Sequence, residues 1–178
     1  MTYANFITSF RIILIPVMIL FFFFSAEGSR YIVTAVFVIA AITDYFDGFV
    51  ARKYNQVTNF GKFIDPVADK ILVVSSLLLI LLDHNKLEIF IPVCIIILRE
   101  VIISSLREWE AINFKKTIEV NKFGKIKTAF QLFAIGFLLF DGTIFTISTH
   151  LIGLYGIYIA AFLSLISMIK YIGFVKKP

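Results

Sequence analysis

Residues 31–51 read YIVTAVFVIAAITDYFDGFVA, an apolar run that carries two aspartates near its end. Residues 63–82 read FIDPVADKILVVSSLLLILL, a second apolar run that carries two more aspartates near its start. About 20 apolar residues in a helix span the hydrocarbon core of a bilayer. We therefore interpret this stretch as two transmembrane helices with acidic side chains at the ends that face each other along the chain.

The rest of the chain has the same apolar character. Of its 178 residues 60% are hydrophobic and 16% charged, whereas soluble domains are roughly 45–50% apolar. The predicted fold is an all-α integral membrane protein with six transmembrane helices and an interfacial N-terminal segment, in a single domain over residues 1–178. The predicted spans cover residues 3–26, 31–51, 63–82, 87–106, 125–141 and 144–169.

The first 26 residues have a second interpretation, as a secretory signal. Arg11 precedes an apolar run that ends just before Ser25 and Ala26, and this order is typical of such signals. However, Asn5, Thr8 and Arg11 recur every three residues and would form a polar stripe on a helix. A discarded leader has no need of such a stripe, so we favour a retained helix.

The distribution of basic residues predicts the orientation in the membrane. Of 17 lysines and arginines, only Arg30 and Lys86 fall in connections on the side opposite the termini. By the positive-inside rule, both termini and the acidic cluster then face the cytoplasm. The expected location is a bacterial-type inner membrane, with several passes. The net charge of +5 then reflects contact with anionic lipids and not with nucleic acid.

The four aspartates of the second and third spans form two pairs with helical spacing. Asp44 and Asp47 are three residues apart, and Asp65 and Asp69 are four apart, so each pair lies on one helical face. A charge at the centre of a membrane helix costs about 2.5–3.5 kcal/mol, so four such acids are expected to have a function. Antiparallel helices would direct them into one cavity, where oxygen ligands suit Mg²⁺ or Mn²⁺.

Small residues accompany these acids. Gly48 and Ala51 follow the first pair on about the same face, and Gly61 precedes Asp65 by one turn. Small residues in membrane helices often serve close helix packing. Their registration with the acids favours instead an exposed backbone beside the carboxylates, with room for a flat ligand. A purely structural alternative for the acids is neutralisation by basic neighbours, namely Lys70, Arg52 and Arg99.

Together these positions resemble the signature of the CDP-alcohol phosphatidyltransferases, which here reads Asp44-Tyr-Phe-Asp47-Gly48-x-x-Ala51-Arg52, eight residues, then Gly61-x3-Asp65-x3-Asp69. The resemblance implies two divalent cations, Mg²⁺ or Mn²⁺, that are held mainly by the first three acids, with Asp69 as the proposed base. It also implies a CDP pocket formed by Gly48, Ala51, Arg52 and Gly61. Two such ions can neutralise a diphosphate and stabilise both the attacking and the leaving oxygen.

Basic residues of the fourth and fifth spans predict a second binding site. Arg99 and Arg107 are eight residues apart on one helix face, and Lys125 begins the fifth span. Guanidinium and ammonium groups bind phosphate. We predict that these three residues hold the phosphate of an acceptor. Further contributions are expected from Thr8, Arg11 and Lys127, and the alternative for the two arginines is pairing with Glu100 and Glu108.

This second region resembles the family members whose acceptor is glycerol 3-phosphate, through Arg99-Glu100-x-Ile-Ile-Ser-x-Leu-Arg107-Glu108-Trp109 and Gly124-Lys-x-Lys127-Thr128. That resemblance implies transfer of the phosphatidyl group of CDP-diacylglycerol to glycerol 3-phosphate, giving phosphatidylglycerophosphate and CMP, by a homodimer. One alternative is another acceptor, as in cardiolipin, phosphatidylserine or phosphatidylinositol-phosphate synthesis. The other is a divalent-cation carrier, because acids inside membrane helices also line ion paths.

The histidines and the cysteine carry no predicted chemistry. His84 and His150 fall in connections on the outer side and are expected to be solvated, as most loop residues are. This placement argues against a mechanism with a histidine nucleophile. Cys94 is the single cysteine, so an intramolecular disulfide and a cysteine-based metal cluster are both excluded.

Overall fold

The computed structural model describes the backbone of residues 3–24, 28–53, 59–114 and 122–175, and the side chains of residues 10–24, 28–43, 64, 66–110, 112 and 126–173. Within these ranges the chain forms six α-helices and one short hairpin. In chain order they are α1 (Tyr3–Phe23), α2 (Ser29–Lys53), α3 (Asn59–His84), α4 (Leu87–Phe114), α5 (Lys122–Phe140), β1 (Thr143–Ile144), β2 (Ile147–Ser148) and α6 (Thr149–Val175). The predicted all-α class is confirmed.

Two of the described helices are long and apolar enough to cross a membrane, over Leu87–Glu110 of α4 and Thr149–Gly173 of α6. Shorter apolar segments lie in three others, at Phe10–Phe23, Ser29–Thr43 and Ile126–Phe140. The count of six spans therefore stays a prediction. Helix α1 is continuous from its first residue, so the predicted interfacial segment would be the start of this same helix.

Exposed large apolar side chains and buried cations distinguish this bundle from a water-soluble one. Phe133, Phe162 and Ile169 are 70%, 64% and 67% exposed, whereas Arg11 and Lys127 are 0% and 2% exposed. Large apolar patches on a surface mark contact with something other than water. Ionisable residues of membrane helices, in turn, face the interior of the bundle. The described residues are thus distributed as expected for a bundle surrounded by lipid.

Contacts at the helix ends define the packing order. Arg30 at the start of α2 forms an ion pair of 3.0 Å with Asp83 at the end of α3, so these two helices are antiparallel. Helix α1 packs against both of them. The Ser76 hydroxyl of α3 lies 3.7 Å from the Met18 sulfur of α1. Since α1 and α3 are both joined to α2 as hairpin arms, α1 and α3 run in parallel.

Helices α5 and α6 approach closely because glycine lies between them. A Cβ atom added at Gly153 would be 2.6 Å from Cγ of Leu138, and one added at Gly156 would be 3.0 Å from Cβ of Ala134. Small residues allow the backbones of membrane helices to come this near. The numbering of these contacts also shows that α5 and α6 are antiparallel.

Three polar bonds, called here the α4–α6 bonds, join α4 to α6. The bonded pairs are the Glu88 carbonyl with the Tyr158 hydroxyl, Arg99 with Ser167, and the Glu110 carboxylate with the Tyr171 hydroxyl. Residue numbers rise together on both helices, so α4 and α6 run in parallel. Each bond also fixes the position of one helix along the other.

The hairpin between α5 and α6 was not predicted. Its strands pair Thr143 with Ser148 and Ile144 with Ile147, and Phe145 at its turn is 100% exposed. The predicted start of the sixth span at residue 144 is therefore wrong, because α6 begins only at Thr149. An apolar run this short is hard to distinguish from the start of an apolar helix.

Candidate active site

The predicted acids lie on the two arms of the α2–α3 hairpin. The last three turns of α2 contain the first pair and the first three turns of α3 the second, namely Asp44 and Asp47, and Asp65 and Asp69. The register follows from the ion pair between Arg30 and Asp83. Asp44 comes 14 residues after Arg30, and Asp69 comes 14 residues before Asp83. With an equal rise per residue on both arms, the backbones of Asp44 and Asp69 are at the same depth.

Many of the predicted side chains lie outside the described residues. They comprise three of the four acids, the CDP pocket and part of the acceptor site: Asp44, Asp47 and Asp65; Gly48, Ala51, Arg52 and Gly61; Thr8 and Lys125. Their backbones belong to α1, α2, α3 and α5. The roles assigned to these residues stay predictions.

Of the four predicted acids, Asp69 is the one whose side chain the structure describes. It is half-buried on α3, next to the fully buried Ala68. Its carboxylate is among the charges that act on the ammonium group of Lys127 in α5. Asp69 is therefore coupled electrostatically to a residue that was predicted to contribute to the acceptor site.

Lys127 belongs to a buried group of charges, called here the cation cluster, with Arg99 and Glu100 of α4. Its ammonium group donates to Oε1 of Glu100, and Nη1 of Arg99 lies 3.5 Å from the same oxygen. Nη2 of Arg99 donates to the Ser167 hydroxyl at 3.0 Å. The alternative that Arg99 pairs with Glu100 is thus observed, and Lys127 shares the same partner.

The charges within the cation cluster do not balance. Arg99 and Lys127 are 8% and 2% exposed, and the single Glu100 carboxylate lies between them. Burying an ion costs several kcal/mol unless pairing offsets the cost. Two cations with one carboxylate leave a net positive charge, and a phosphate group could bind there through charge-assisted hydrogen bonds. The cluster therefore suits an anionic group.

Buried polar atoms without a protein partner extend this interior. Among the described groups, Oε1 of Gln131 and the hydroxyl of Ser164 have no hydrogen-bond partner. Gln131 follows Lys127 by one turn on α5, and Ser164 precedes Ser167 by three residues on α6. Buried polar atoms in folded proteins nearly always have a partner. Water or a polar ligand would supply one here.

Several of these residues were missed by sequence reasoning. Ser164, Ser167 and Tyr171 stand at i, i+3 and i+7 in the otherwise apolar α6, which puts them on one face. Gln131 stands four residues after Lys127 in α5. A search for polar residues that share one helical face, as Asn5, Thr8 and Arg11 do in the first helix, would have indicated both sets.

Arg107 occupies a different environment from Arg99. It is exposed on α4, and its guanidinium carbon lies 5.6 Å from the centre of the Tyr171 ring. Eight helical residues separate the two arginines, or about 12 Å along the axis. Arg99 contacts Ser167 of α6 inside the bundle, whereas Arg107 contacts Tyr171 of α6 at the surface.

Arg11 is at the depth of Asp69. The residue is 0% exposed and precedes Met18 by seven positions, while Asp69 precedes Ser76 by seven positions. Because Met18 contacts Ser76 and α1 and α3 run in parallel, the backbones of Arg11 and Asp69 are level. The predicted stripe on the first helix thus ends in a buried cation at the level of the acids.

The expectation that His84 and His150 are solvated is wrong. Both are half-buried, and their ring centres are 4.7 Å apart. They are buried because the end of α3 and the start of α6 meet there. His84 follows Asp69 by 15 residues on α3, about 22 Å along the helix. This pair belongs to the opposite end of the bundle and not to the candidate active site.

The model of the CDP-alcohol phosphatidyltransferase family matches residues 1–169. Three bacterial relatives carry the name CDP-diacylglycerol--glycerol-3-phosphate 3-phosphatidyltransferase. The protein of Haemophilus influenzae is 44% identical over 172 residues, which are 96% of this chain and 91% of the relative. That of Wigglesworthia glossinidia brevipalpis is 44% identical over 166 residues, and that of Escherichia coli 40% over 167, each match covering 93% of this chain and 90% of the relative. Sequence, helical architecture and these matches agree that the chain belongs to the CDP-alcohol phosphatidyltransferase family.

Proposed function

We propose that this chain transfers the phosphatidyl group of CDP-diacylglycerol to glycerol 3-phosphate and releases CMP. The observation that carries the choice of acceptor is the buried cation cluster, which suits an acceptor with a phosphate group. The names of the relatives support the same reaction. Serine has no phosphate and would leave the excess positive charge of the cluster unmatched.

The acids are proposed to hold two divalent cations, Mg²⁺ or Mn²⁺. Carboxylate oxygens are the ligands that both ions prefer. The matched depth of Asp44 and Asp69 on the α2–α3 hairpin supports a shared site. When bound, two such ions neutralise the diphosphate of the lipid substrate. The CDP pocket would be formed by Gly48, Ala51, Arg52 and Gly61.

Asp69 acts as the general base in this proposal. It accepts the proton of the glycerol 1-hydroxyl, and that oxygen forms a bond to the lipid-linked phosphorus. The bond from this phosphorus to CMP breaks, and CMP leaves with the electron pair. Arg99 and Lys127 hold the acceptor phosphate, while Glu100 keeps both cations in position. A positioned base of this kind contributes about 10²–10⁴-fold to a rate.

The remaining basic residues are proposed to bring the acceptor to this site. Arg107 is exposed and would meet glycerol 3-phosphate as it arrives from the cytoplasm. Lys125, Thr8 and Arg11 would complete the phosphate site. CDP-diacylglycerol would enter laterally from the inner membrane. A homodimer stays a prediction, because exposed apolar side chains such as Phe133 face lipid as readily as a second copy.

Release of CMP by the purified protein in vesicles tests the proposal. With CDP-diacylglycerol and Mg²⁺ present, we expect release that depends on glycerol 3-phosphate. Release that depends instead on serine, inositol phosphate or phosphatidylglycerol would assign another acceptor. Metal flux without consumption of the CDP-lipid would favour the carrier alternative.

A matched pair of variants tests the acceptor site. Arg107→Ala should raise the KM for glycerol 3-phosphate with a smaller change in kcat, because its contact with the acceptor forms before the chemical step. Lys86→Ala removes a cation that is 56% exposed, beside Glu88 at the start of α4, and should leave both constants unchanged. An unchanged KM in Arg107→Ala would remove this residue from the site.

A further inference from the structure

A second cluster of ligand-type side chains lies at the end of the bundle opposite Asp69. His84 is the last residue of α3, Asp141 follows the last residue of α5, and His150 is the second residue of α6. One nitrogen or oxygen atom from each side chain lies within 4.8 Å of the corresponding atoms of the other two. Three separate chain segments thus converge on one point.

The separations are close to those of a tetrahedral metal site. Bonds of about 2.0–2.1 Å to a central Zn²⁺ place neighbouring ligand atoms roughly 3.4 Å apart. Nδ1 of His150 is 3.4 Å from Oδ1 of Asp141, so one edge of the triangle already has this length. All separations are within 4.8 Å, so none exceeds the ideal by more than about 1.4 Å, which side-chain rotation can close.

The surroundings hold Asp141 in place. Its N–H donates to the Phe137 carbonyl at 3.1 Å, and its backbone φ of 37° ends α5 at the preceding residue. Arg30 binds Oδ2 of the carboxylate and leaves Oδ1 directed at His150. Hydrogen bonds from outside the ligand set orient ligands in this way at known metal sites.

His84 has an unmet bonding requirement. Its Nε2 atom is buried and, among the described groups, has no hydrogen-bond partner. A buried ring nitrogen without a partner costs free energy, and a bound cation would recover it. An open cleft of about 250 Å³, lined by residues that include Arg30, Tyr31 and Asp141, meets the cluster at Asp141.

We propose that His84, Asp141 and His150 bind one divalent transition-metal cation, for which Zn²⁺ is the best match. Two imidazoles with one carboxylate suit Zn²⁺ better than Mg²⁺, which prefers oxygen ligands alone. The ion would join the ends of α3 and α5 to the start of α6. This site is separate from the acids around Asp69 and does not depend on the proposed reaction.

The test is Zn²⁺ binding by the whole chain in lipid nanodiscs, purified with a tag that contains no histidine and stripped of metal. Millimolar Mg²⁺ is kept present to occupy the acidic site. We expect one Zn²⁺ per chain by equilibrium dialysis and metal analysis. His84→Asn and His150→Asn should each weaken binding by more than about 100-fold, since even loss of an outer-shell partner costs 10–100-fold. Asp83→Asn, which removes a neighbouring charge but no ligand, should bind as the wild type does.

X-ray absorption at the zinc edge of the loaded wild type gives a readout that does not depend on the folding of any variant. Scattering from two imidazole rings is the expected result. The proposal is overturned if the wild type binds no stoichiometric Zn²⁺ under these conditions, if the double histidine variant binds it equally well, or if imidazole scattering is absent.

Discussion

At the end of the bundle that holds Asp69, two almost fully buried cations share the carboxylate of Glu100. At the end that holds His84, a half-exposed Arg30 bridges two carboxylates. Within the cation cluster the cations outnumber the carboxylate, which suits a phosphate group, while the acids of the α2–α3 hairpin lie at the same end. The second end holds the ion pairs of Arg30, and Nε2 of His84 has no hydrogen-bond partner among the described groups. The proposed ligands differ accordingly: an acceptor phosphate and a metal-bound diphosphate at the Asp69 end, and one transition-metal cation at the His84 end.

The largest expected effect is that of Asp69→Asn. If the Asp69 end is catalytic, loss of the base should lower kcat by about 10²–10⁴-fold, while the protein still folds and can be extracted. CMP release in vesicles measures the change. Asp83→Asn, the matched substitution at the His84 end, should keep full activity. Equal losses of kcat in both variants would contradict the assignment of catalysis to the Asp69 end.

Next in size is the loss of stability in Glu100→Gln. The change leaves Arg99 and Lys127 buried without their shared carboxylate, and breaking a buried ion pair costs about 3–5 kcal/mol. Thermal unfolding in detergent measures it. The double variant Glu100→Gln with Lys127→Met should recover part of the loss, because one of the two stranded charges is removed.

Glu88→Gln is the control for that experiment. Glu88 is exposed at the opposite end of α4, where its ion pair with Lys86 is 3.6 Å long, so the expected change is near zero. A stability loss in Glu88→Gln as large as that in Glu100→Gln would show that burial does not distinguish the two ends.

A smaller effect is expected from Gly153→Ala, near the His84 end. The new Cβ would lie 2.6 Å from Cγ of Leu138 and 3.0 Å from its backbone nitrogen, so α5 and α6 would have to separate. Overpacking of this kind costs about 1–3 kcal/mol. Gly173→Ala is the control, because nothing lies within 4 Å of its added Cβ. Equal unfolding temperatures in the two variants would contradict close packing of α5 on α6.

Apart from the controls, the smallest expected effect is that of Arg30→Ala. Its ion pairs involve a side chain that is 46% exposed, and exposed pairs contribute about 1 kcal/mol or less. The free energy of unfolding should fall by no more than this amount, and the rate of CMP release should not change. A large loss of activity in Arg30→Ala would mean that catalysis depends on the His84 end, contrary to the separation of the two ends.

The helices could be predicted because each apolar run satisfies its own backbone hydrogen bonds within a membrane. Their ends could not be predicted as well. Helix α4 continues to Phe114, beyond the predicted residue 106, because Arg and Glu favour helix although they are not apolar. The hairpin was missed because its isoleucines resemble the start of the next span.

Within the site, ionisable residues in apolar runs such as Arg99 and Asp69 could be recognised individually. Their partners could not, because the pairing of Lys127 with Glu100 depends on how α4 and α5 are rotated. The convergence of His84 with His150 depends likewise on which helix ends meet, and no local pattern contains that information. Sequence reasoning thus found candidate residues better than it found their contacts.

The α4–α6 bonds have a consequence for membranes of different thickness. Hydrocarbon chains are as apolar as leucine, so sliding one helix past its neighbour by one turn, about 5.4 Å, changes the apolar contact energy little. The same slip would break all three bonds at once. Thinning of the bilayer should therefore tilt α4 and α6 as a rigid pair, with Arg99 still level with Ser167.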